Sequence, residues 1–507
     1  MKKLLLLLCM ACSSSFGQTF PVNNLQVNGA SSFTGIATFT IPIAVSSGGT
    51  GVGVAGGTAL DNITGFASTG FLTRTGAGAY TFQVAPSCSS SSNALQWTGA
   101  AFACNSAIVA SSATTSTTQS LGNNTVNIAT TAFVSNRGPC ANIMDFGGNN
   151  AGVVSNNAAF TSALGAASNL SNNKCIYFPP GQYAFASQAG FTFTAGYQSV
   201  TLVGAGQDAT QLYWSSGAGL LFSYNTGTDS VHIKDMALTT GSINAGSGII
   251  LANSFASSSS AALNTIQNVT IRDVNGYFGP NYFTNAILIQ GISQVNMDGL
   301  NIAGPSGSPA GIGVNLTTTS SSVVPIIFNI SNSGFYNLNI GLNYGQYVQG
   351  VQVINSNFTN DNKGIFVDTG LAGMDQLTVS NNQFNAFTNG FNIYALSAVP
   401  NVNISNNTFL INNNSSGVNL QATSTTTITG NTFEPNTGSP SNVFGVILNG
   451  KVIGASMISG NNFFNLTGGV TLQSGSGNVN VQSNVYNSCV TNTSNAGTGN
   501  VIGGGSP

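Results

Sequence analysis

Four stretches of the chain repeat one phrase: "LTVSNNQF" ending at Phe384, "NVNISNNTF" at Phe409, "TTITGNTF" at Phe433 and "SMISGNNF" at Phe463. Each sets down an aliphatic residue, a small polar turn, and an aromatic ring five positions after the aliphatic. Aligned on that spacing, the aliphatic positions are Ile330, Val353, Val379, Ile404, Ile428, Ile458 and Val481. The matching rings are Phe335, Phe358, Phe384, Phe409, Phe433, Phe463 and Tyr486. The same register extends upstream, without the ring, to Ile233, Ile271 and Met297. A second signature falls in each interval, glycine followed by alternating apolar residues, as in "GIIL" at Gly248, "GIFV" at Gly364, "GFNI" at Gly390, "GVNL" at Gly417, "GVIL" at Gly445 and "GVTL" at Gly469. A unit of two or three short strands cannot bury its own apolar side, but stacked copies can.

Parallel strands that recur about every 24 residues, mostly without helical periodicity, predict the coils of a single-stranded right-handed parallel β-helix, an all-β solenoid. Inward Ile, Val and Phe would stack coil upon coil. Asn382, Asn407, Asn431, Asn461 and Asn484 share one turn position, where asparagine tolerates a left-handed backbone and can hydrogen-bond along a ladder. The repeated phrase is therefore a structural rung, and its Asn and Phe residues are turn and core material.

Composition narrows the class. Of 507 residues only 4% are charged, while 63 are glycine and hydrophobic content is 42%. Nine Lys and Arg against 11 Asp and Glu leave no basic footprint for nucleic acid. The opening "MKKLLLLLCMACSSSFGQ" has a basic start (Lys2, Lys3), a short apolar stretch and small residues before a cut expected after Gly17. It reads as a secretory signal, since a membrane span needs about 20 apolar residues. A lipoprotein cut before Cys12 is the weaker alternative, because Cys9 stands where an aliphatic residue is usual. Export permits disulfides, and the spacing suggests Cys88 with Cys104 and Cys140 with Cys175, leaving Cys489 over. With one histidine and no Cys-x-x-Cys, no metal or cofactor is expected.

Residues 18–139 are rich in Gly, Ser and Thr. Their segments "SSGGTGVGVAGGTALDNI", "GFLTRTGAGAYTFQ" and "TTQSLGNNTVNIATTAFV" resemble the linker and stalk modules of bacteriophage tail fibres. Near residue 140 the texture changes. "SNNAAFTSALGAAS" puts Ala159, Phe160, Ala163, Leu164 and Ala167 on one helical face, with Ser155 to Asn157 as N-cap candidates.

"IMDFGGNNAGVVSNNAAFTSALGAA", then "CIYFPPGQYAF" and "VTLVGAG", resemble the start of the pectate-lyase-like right-handed β-helix superfamily, whose relatives include rhamnogalacturonase/epimerase-type domains and phage tailspike depolymerases. The resemblance covers about residues 140–490 and implies that the short helix caps the open end of the solenoid. It implies a polysaccharide as partner and, from tailspikes, a homotrimer. Residues 491–507 are left as a flexible tail. Asn149, Asn156 and Asn157 stand where such proteins commonly carry acidic residues, at positions read as structural. The "NTDG", "DD", "GHG" and "RIK" set of the polygalacturonases is missing, as is the arginine-rich signature of calcium-dependent pectate lyases. No catalytic residue of the family carries over.

With so few charges, clusters stand out. "VHIKDM", "VTIRDV" and "VNMDGL" are expected on three consecutive coils, which would set Lys234, Arg272 and Asp298 in an outward column, with His232 beside it and Asp235 and Asp273 at the adjoining turn. On one reading Lys234 and Arg272 hold a carboxylate of an acidic glycan and His232 or Lys234 is the base of a β-elimination. On another, Asp235, Asp273 and Asp298 supply the two carboxyls of a hydrolase. On a third the group is a salt ladder with no chemistry. Asp361 and Asp368 near Lys363 form a second candidate group, and Tyr277, Tyr282, Tyr344 and Tyr347 are candidate sugar-stacking rings.

The sequence thus predicts a β-helix protein that binds, and as an enzyme would depolymerise, a surface or cell-wall polysaccharide. The alternative is a non-catalytic adhesin or structural surface protein. The leader points to a secreted or cell-surface location; the stalk points to a virion tail.

Overall fold

The computed structural model describes residues 71–76, 79–88, 94–98, 101–105, 140–167, 173–253, 262–318, 320–421, 425–450 and 455–503. The leader and most of the predicted stalk lie outside the described residues. The chain divides into two compact units, residues 1–116 and 117–507. In the first, two antiparallel hairpins pair Phe71–Gly76 with Ala79–Gln83 and Ala94–Trp97 with Phe102–Asn105. A Cys88–Cys104 disulfide ties the second hairpin to the irregular segment that follows Gln83.

In the second unit, alternation of buried and exposed residues produces the expected architecture. Each strand pairs in parallel with the equivalent strand one coil away, and the chain winds through about 12 turns of a parallel β-solenoid. Three ladders of strands result. The first runs from Asn173–Phe178 through Ser199–Gly204 to Val479–Gln482, and the second from Gly181–Phe185 through Thr210–Trp214 to Val485–Asn487. The third runs from Ala189–Thr192 through Leu220–Tyr224 to Thr491–Asn495. Residues 491–495 and Val501–Ile502 are thus paired strands of the solenoid, and the tail expected from 491 is in part a further coil.

The aromatic column forms as one continuous stack. From Phe335 to Tyr486, successive rings sit 4.7–5.2 Å apart with planes within 11° of parallel. That is the rung spacing of a parallel sheet, so in-register pairing imposes the stacking distance. The glycine signature is the other half of the same contact. A Cβ on Gly417 would lie 2.6 Å from the Phe433 ring, one on Gly445 2.4 Å from Phe463, and one on Gly469 2.6 Å from Tyr486. Each glycine leaves room for the ring of the following coil.

Two details differ from expectation. The buried Asn382, Asn407, Asn431, Asn461 and Asn484 do form a ladder: the Asn382 backbone amide and Nδ2 donate to Asn407 Oδ1 at 2.9 and 3.0 Å, and the pattern repeats upward. Their backbone is not left-handed, however. The positive φ falls one residue earlier, at Asn381, Asn406, Gly430, Gly460 and Ser483. The corner needs one residue to turn the chain and the next to fill the inside of the turn, and asparagine suits both. The second difference is register. Ile233 pairs with Ile266 and then Met297, whereas Ile271 belongs to the second ladder, between Leu238 and Ile302. The strand Asn264–Asp273 rounds the corner at Asn268 (φ 51°) and supplies both ladders, each with an aliphatic in the same phase.

The helix Asn157–Ala167 buries the predicted face, Ala159, Phe160, Ala163, Leu164 and Ala167. Asn156 is fully buried, accepting from the Asn149 amide and donating to the carbonyls of Asn149, Val154 and Ala184. Asn157 Oδ1 accepts from the Ala186 amide, so these asparagines pin helix to coil. Lys174 Nζ reaches the Leu164 carbonyl near the helix C-terminus, and a Cys140–Cys175 disulfide closes the same end.

Candidate functional site

The predicted charged column does not form. By register Lys234 stands with Gln267 and Asp298, while Arg272 pairs with Thr239 on the second ladder. The slip at Ile271 carried Arg272 into the wrong column. Lys234 is exposed, and Asp298 Oδ1 accepts from Ser331 Oγ (2.6 Å) and Asn332 Nδ2 (2.7 Å). Asp235 occupies the left-handed corner (φ 58°) and accepts from Asn268 Nδ2. His232 shares its rung with Thr265, Nδ1 to Oγ1 2.9 Å, and its burial pushes its pKa below the usual value, so the imidazole is neutral at pH 7.

Arg272 is nearly buried. It bonds the Asp273 carbonyl (2.9 Å) and the exposed Asp208 (3.3 Å), lies 5.2 Å from the Tyr277 ring centre, and leaves Nε without a partner. Asp273 folds the turn that follows, accepting from the amides of Asn275 (2.7 Å) and Asn281 (2.6 Å). Asp273 is level with Thr240, and the strand from Met236 to Thr240 alone runs roughly 13 Å at the usual rise. Asp235 and Asp273 therefore stand at opposite edges of the second ladder, beyond the ~6.5–9.5 Å of an inverting pair.

The second group also fails to converge. Asp361 is fully buried, accepts from the Leu338 amide at 2.8 Å, and has Oδ2 unpartnered; burial raises its pKa well above the carboxylate range. Asp368 is exposed and binds the Thr369 amide, and Lys363 Nζ lies 4.1 Å from the Phe366 ring centre. Among the candidate rings, Tyr344 is core, its hydroxyl donating to the Asp375 carbonyl, and burial pushes its pKa up. Tyr277 is exposed, and Tyr282 and Tyr347 are half-buried.

What the fold does assemble is a polar groove along the corner between the first and second ladders. One part, about 450 Å³, is lined by Gln207, Asn268, Asn301, Asn332 and Tyr336 and reaches Asn355 and Asn357. A second part, about 620 Å³, shares Asn355 and Asn357 and continues past Asn381 and Gln383 to Asn406 and Thr408. No charged side chain lines either part. The left-handed corner itself accounts for Asn332, Asn355, Asn381 and Asn406. It does not account for Asn301, Asn357 and Gln383, which lie on strands, where asparagine in particular is disfavoured. At one end Tyr277 Oη accepts from Asn301 Nδ2, and Phe278 sits edge-on to Tyr336 at 6.4 Å. Phe278 holds φ 69°, a strained value for a bulky side chain, and is 44% exposed. Sequence reasoning missed this groove, although its signal was present in the amides on the outward strand positions. Among the described residues no group of His, Cys, Asp and Glu could hold a metal ion, and no helix is long and apolar enough to cross a membrane.

The model of the family described as rhamnogalacturonase A/epimerase, pectate lyase-like matches residues 140–392. No protein with a curated description matches in sequence. Among solved structures, the Azotobacter vinelandii mannuronan C-5 epimerase AlgE6 A-module is 16% identical with TM-score 0.45, covering 72% of this chain and 99% of its own. The surface adhesin PfbA of Streptococcus pneumoniae is 13% identical with TM-score 0.47, covering 72% and 91%. Tailspike protein 3 of bacteriophage CBA120 is 12% identical with TM-score 0.46, covering 70% and 59%.

Proposed function

Since residues 140–392 make this chain a member of the rhamnogalacturonase A/epimerase, pectate lyase-like family, we propose that it binds a polysaccharide lengthwise in the corner groove. The observation that carries this reading is the run of outward amides, Asn301, Asn357 and Gln383, on strand positions the backbone does not explain. Gly334 stands between Asn301 and Asn357 in the strand column, but with the corner residues Asn332, Asn355, Asn381 and Asn406 an amide meets the groove at each rung of about 4.8 Å, so a chain of sugar hydroxyls lying along the axis meets donor and acceptor groups repeatedly. The uncharged lining favours neutral sugars.

A depolymerase is the second reading, and Arg272 is the feature that favours it. Its guanidinium lies 5.2 Å from the ring centre of Tyr277, which bonds Asn301 of the groove, and its buried Nε has no partner; uncovered by a shift of the Tyr277 turn, it would receive a substrate carboxylate. Residues 18–507 incubated with neutral and acidic polysaccharides separate the readings. Binding with no shortening, weakened at least tenfold by Asn357→Ala with Gln383→Ala, is the expected result. Shortening with new ultraviolet absorbance would indicate a lyase, and shortening without it a hydrolase. Failure to bind any polysaccharide would overturn both readings.

The stalk-like segments ahead of a β-helix also support an exposed position, at a cell surface or on a virion, and a homotrimer. Sedimentation of the full chain tests the assembly.

A further inference from the structure

The outer face of the third ladder carries a feature the groove does not use. Its outward column reads Lys363, Phe391, Ser416, Phe444 on successive coils: Lys363 pairs with Phe391 and Ser416 with Phe444, and the pairing of Ile393 with Val418 sets Phe391 against Ser416. Ser416 is thus the one small residue between two rings. Over it lies a notch of about 310 Å³, walled by Phe391, Phe444 and Ile447 and edged by Asn414 and Asn442. Phe391 is held upright by Tyr394, whose ring stacks on it at 4.2 Å and 16°. Asn442 Nδ2 donates to Asn414 Oδ1 at 3.0 Å, which fixes both rim amides.

Ser416 is fully buried, and its Oγ has no hydrogen-bond partner. A buried hydroxyl left unpaired is costly, and alanine would fill the same rung without that cost. The column gives the hydroxyl no structural partner, so its partner comes from outside.

We propose that this notch is a second carbohydrate site, separate from the corner groove, that takes one neutral pyranose ring between Phe391 and Phe444. Two rungs separate the walls by roughly 9.6 Å, which leaves a slot for one saturated ring between two aromatic side chains. Ser416 Oγ, once its side chain turns toward the slot, meets a sugar hydroxyl, and the rim amides meet others. No charged side chain lines the notch, which selects against uronic acids.

Saturation-transfer NMR on the full chain with methyl glucoside, galactoside, mannoside and rhamnoside tests the proposal. Transfer to the ring C–H protons of at least one probe is expected. It should fall at least tenfold in Phe391→Leu and Phe444→Leu, which keep apolar bulk but remove the ring. Ser416→Ala should weaken transfer while leaving the melting temperature equal or higher, an outcome a purely structural serine would not give. Asn357→Ala, in the groove, should leave it unchanged. No transfer to any probe, or transfer that survives Phe391→Leu combined with Phe444→Leu, overturns the proposal. Transfer lost only in Asn357→Ala overturns it too, while leaving the groove reading intact.

Discussion

The coils before Phe335 and those after it share one backbone plan and fill it differently. In the second ladder the inward column runs Tyr183, Leu212, Leu238, Ile271, Ile302 in the early coils, and then only aromatic rings from Phe335 to Tyr486. The corner ladder likewise changes from Ser333 and Ser356 to asparagine at every rung from 382 to 484. In the later coils identical side chains repeat at the rung spacing, and from Ile330 to Val481 each coil takes 23–30 residues. In the earlier coils, from Ile233 to Ile330, each coil takes 31–33 residues, and the long turn after Asp273 holds Tyr277 and Phe278 against the groove. Regularity makes the scaffold, and its interruption makes room for a site.

Several substitutions would break or sharpen that contrast. Phe409→Ala removes the ring between Phe384 and Phe433 and should cost about 4 kcal/mol, as large cavities in cores do. A solenoid loses stability locally, so hydrogen exchange should accelerate in residues 383–464 and stay slow in the early coils. Equal acceleration throughout would mean that the two regions form one cooperative unit.

Asn431→Ala should cost roughly 3 kcal/mol, because the Ile404 and Thr429 carbonyls and the Asn407 amide lose partners out of reach of water. Ser356→Ala, on the hydroxyl part of the same ladder, should cost less in the same denaturant titration. Equal losses would remove the distinction between the amide and hydroxyl rungs.

Acidity should act on the two regions with opposite sign. His232, in the early coils, has a folded pKa lowered by burial, so the stability it contributes is present above its unfolded value near 6.5 and is lost as pH falls below it. Asp361, in the later coils, has a folded pKa raised by burial, so its stability is present below its unfolded value near 3.8 and is lost as pH rises. Asp361→Asn should therefore raise stability at pH 7, and His232→Gln should flatten the loss between pH 7 and 5. Exchange rates measured across that range, coil by coil, check both. The smallest effect belongs to Asp208→Ala. Its ion pair with Arg272 is exposed on the aspartate side, and the loss should stay under about 1 kcal/mol by thermal unfolding.

The same contrast explains what could be read in advance. From Ile330 onward every aligned aliphatic and ring falls where expected, because the repeat marks both ladders differently, aliphatic in one and aromatic in the other. From Leu212 to Ile302 both ladders carry aliphatic residues in their inward columns, and Ile271 reads like Ile266. That single slip carried Arg272 into a column with Lys234 and Asp298 that the structure does not contain. The groove was legible only in part. Its corner asparagines repeat visibly, but their meeting with Gln207 and Tyr336 depends on coils more than a hundred residues apart. Tyr344, a candidate sugar-stacking ring by sequence, is core, because its strand Ile340–Tyr344 turns it inward.

By itself, then, the sequence determined the repeat unit, the parallel winding, and the capping helix and its buried face. These follow from spacings within some 25 residues, where strand alternation and rung geometry leave few choices. Tertiary structure alone decided which charges meet, where the amides line up into a groove, and that Ser416 stands unpartnered between Phe391 and Phe444. Those outcomes depend on register between coils of unequal length, and register is set by hydrogen bonds between strands that the intervening turns leave free to slide in sequence.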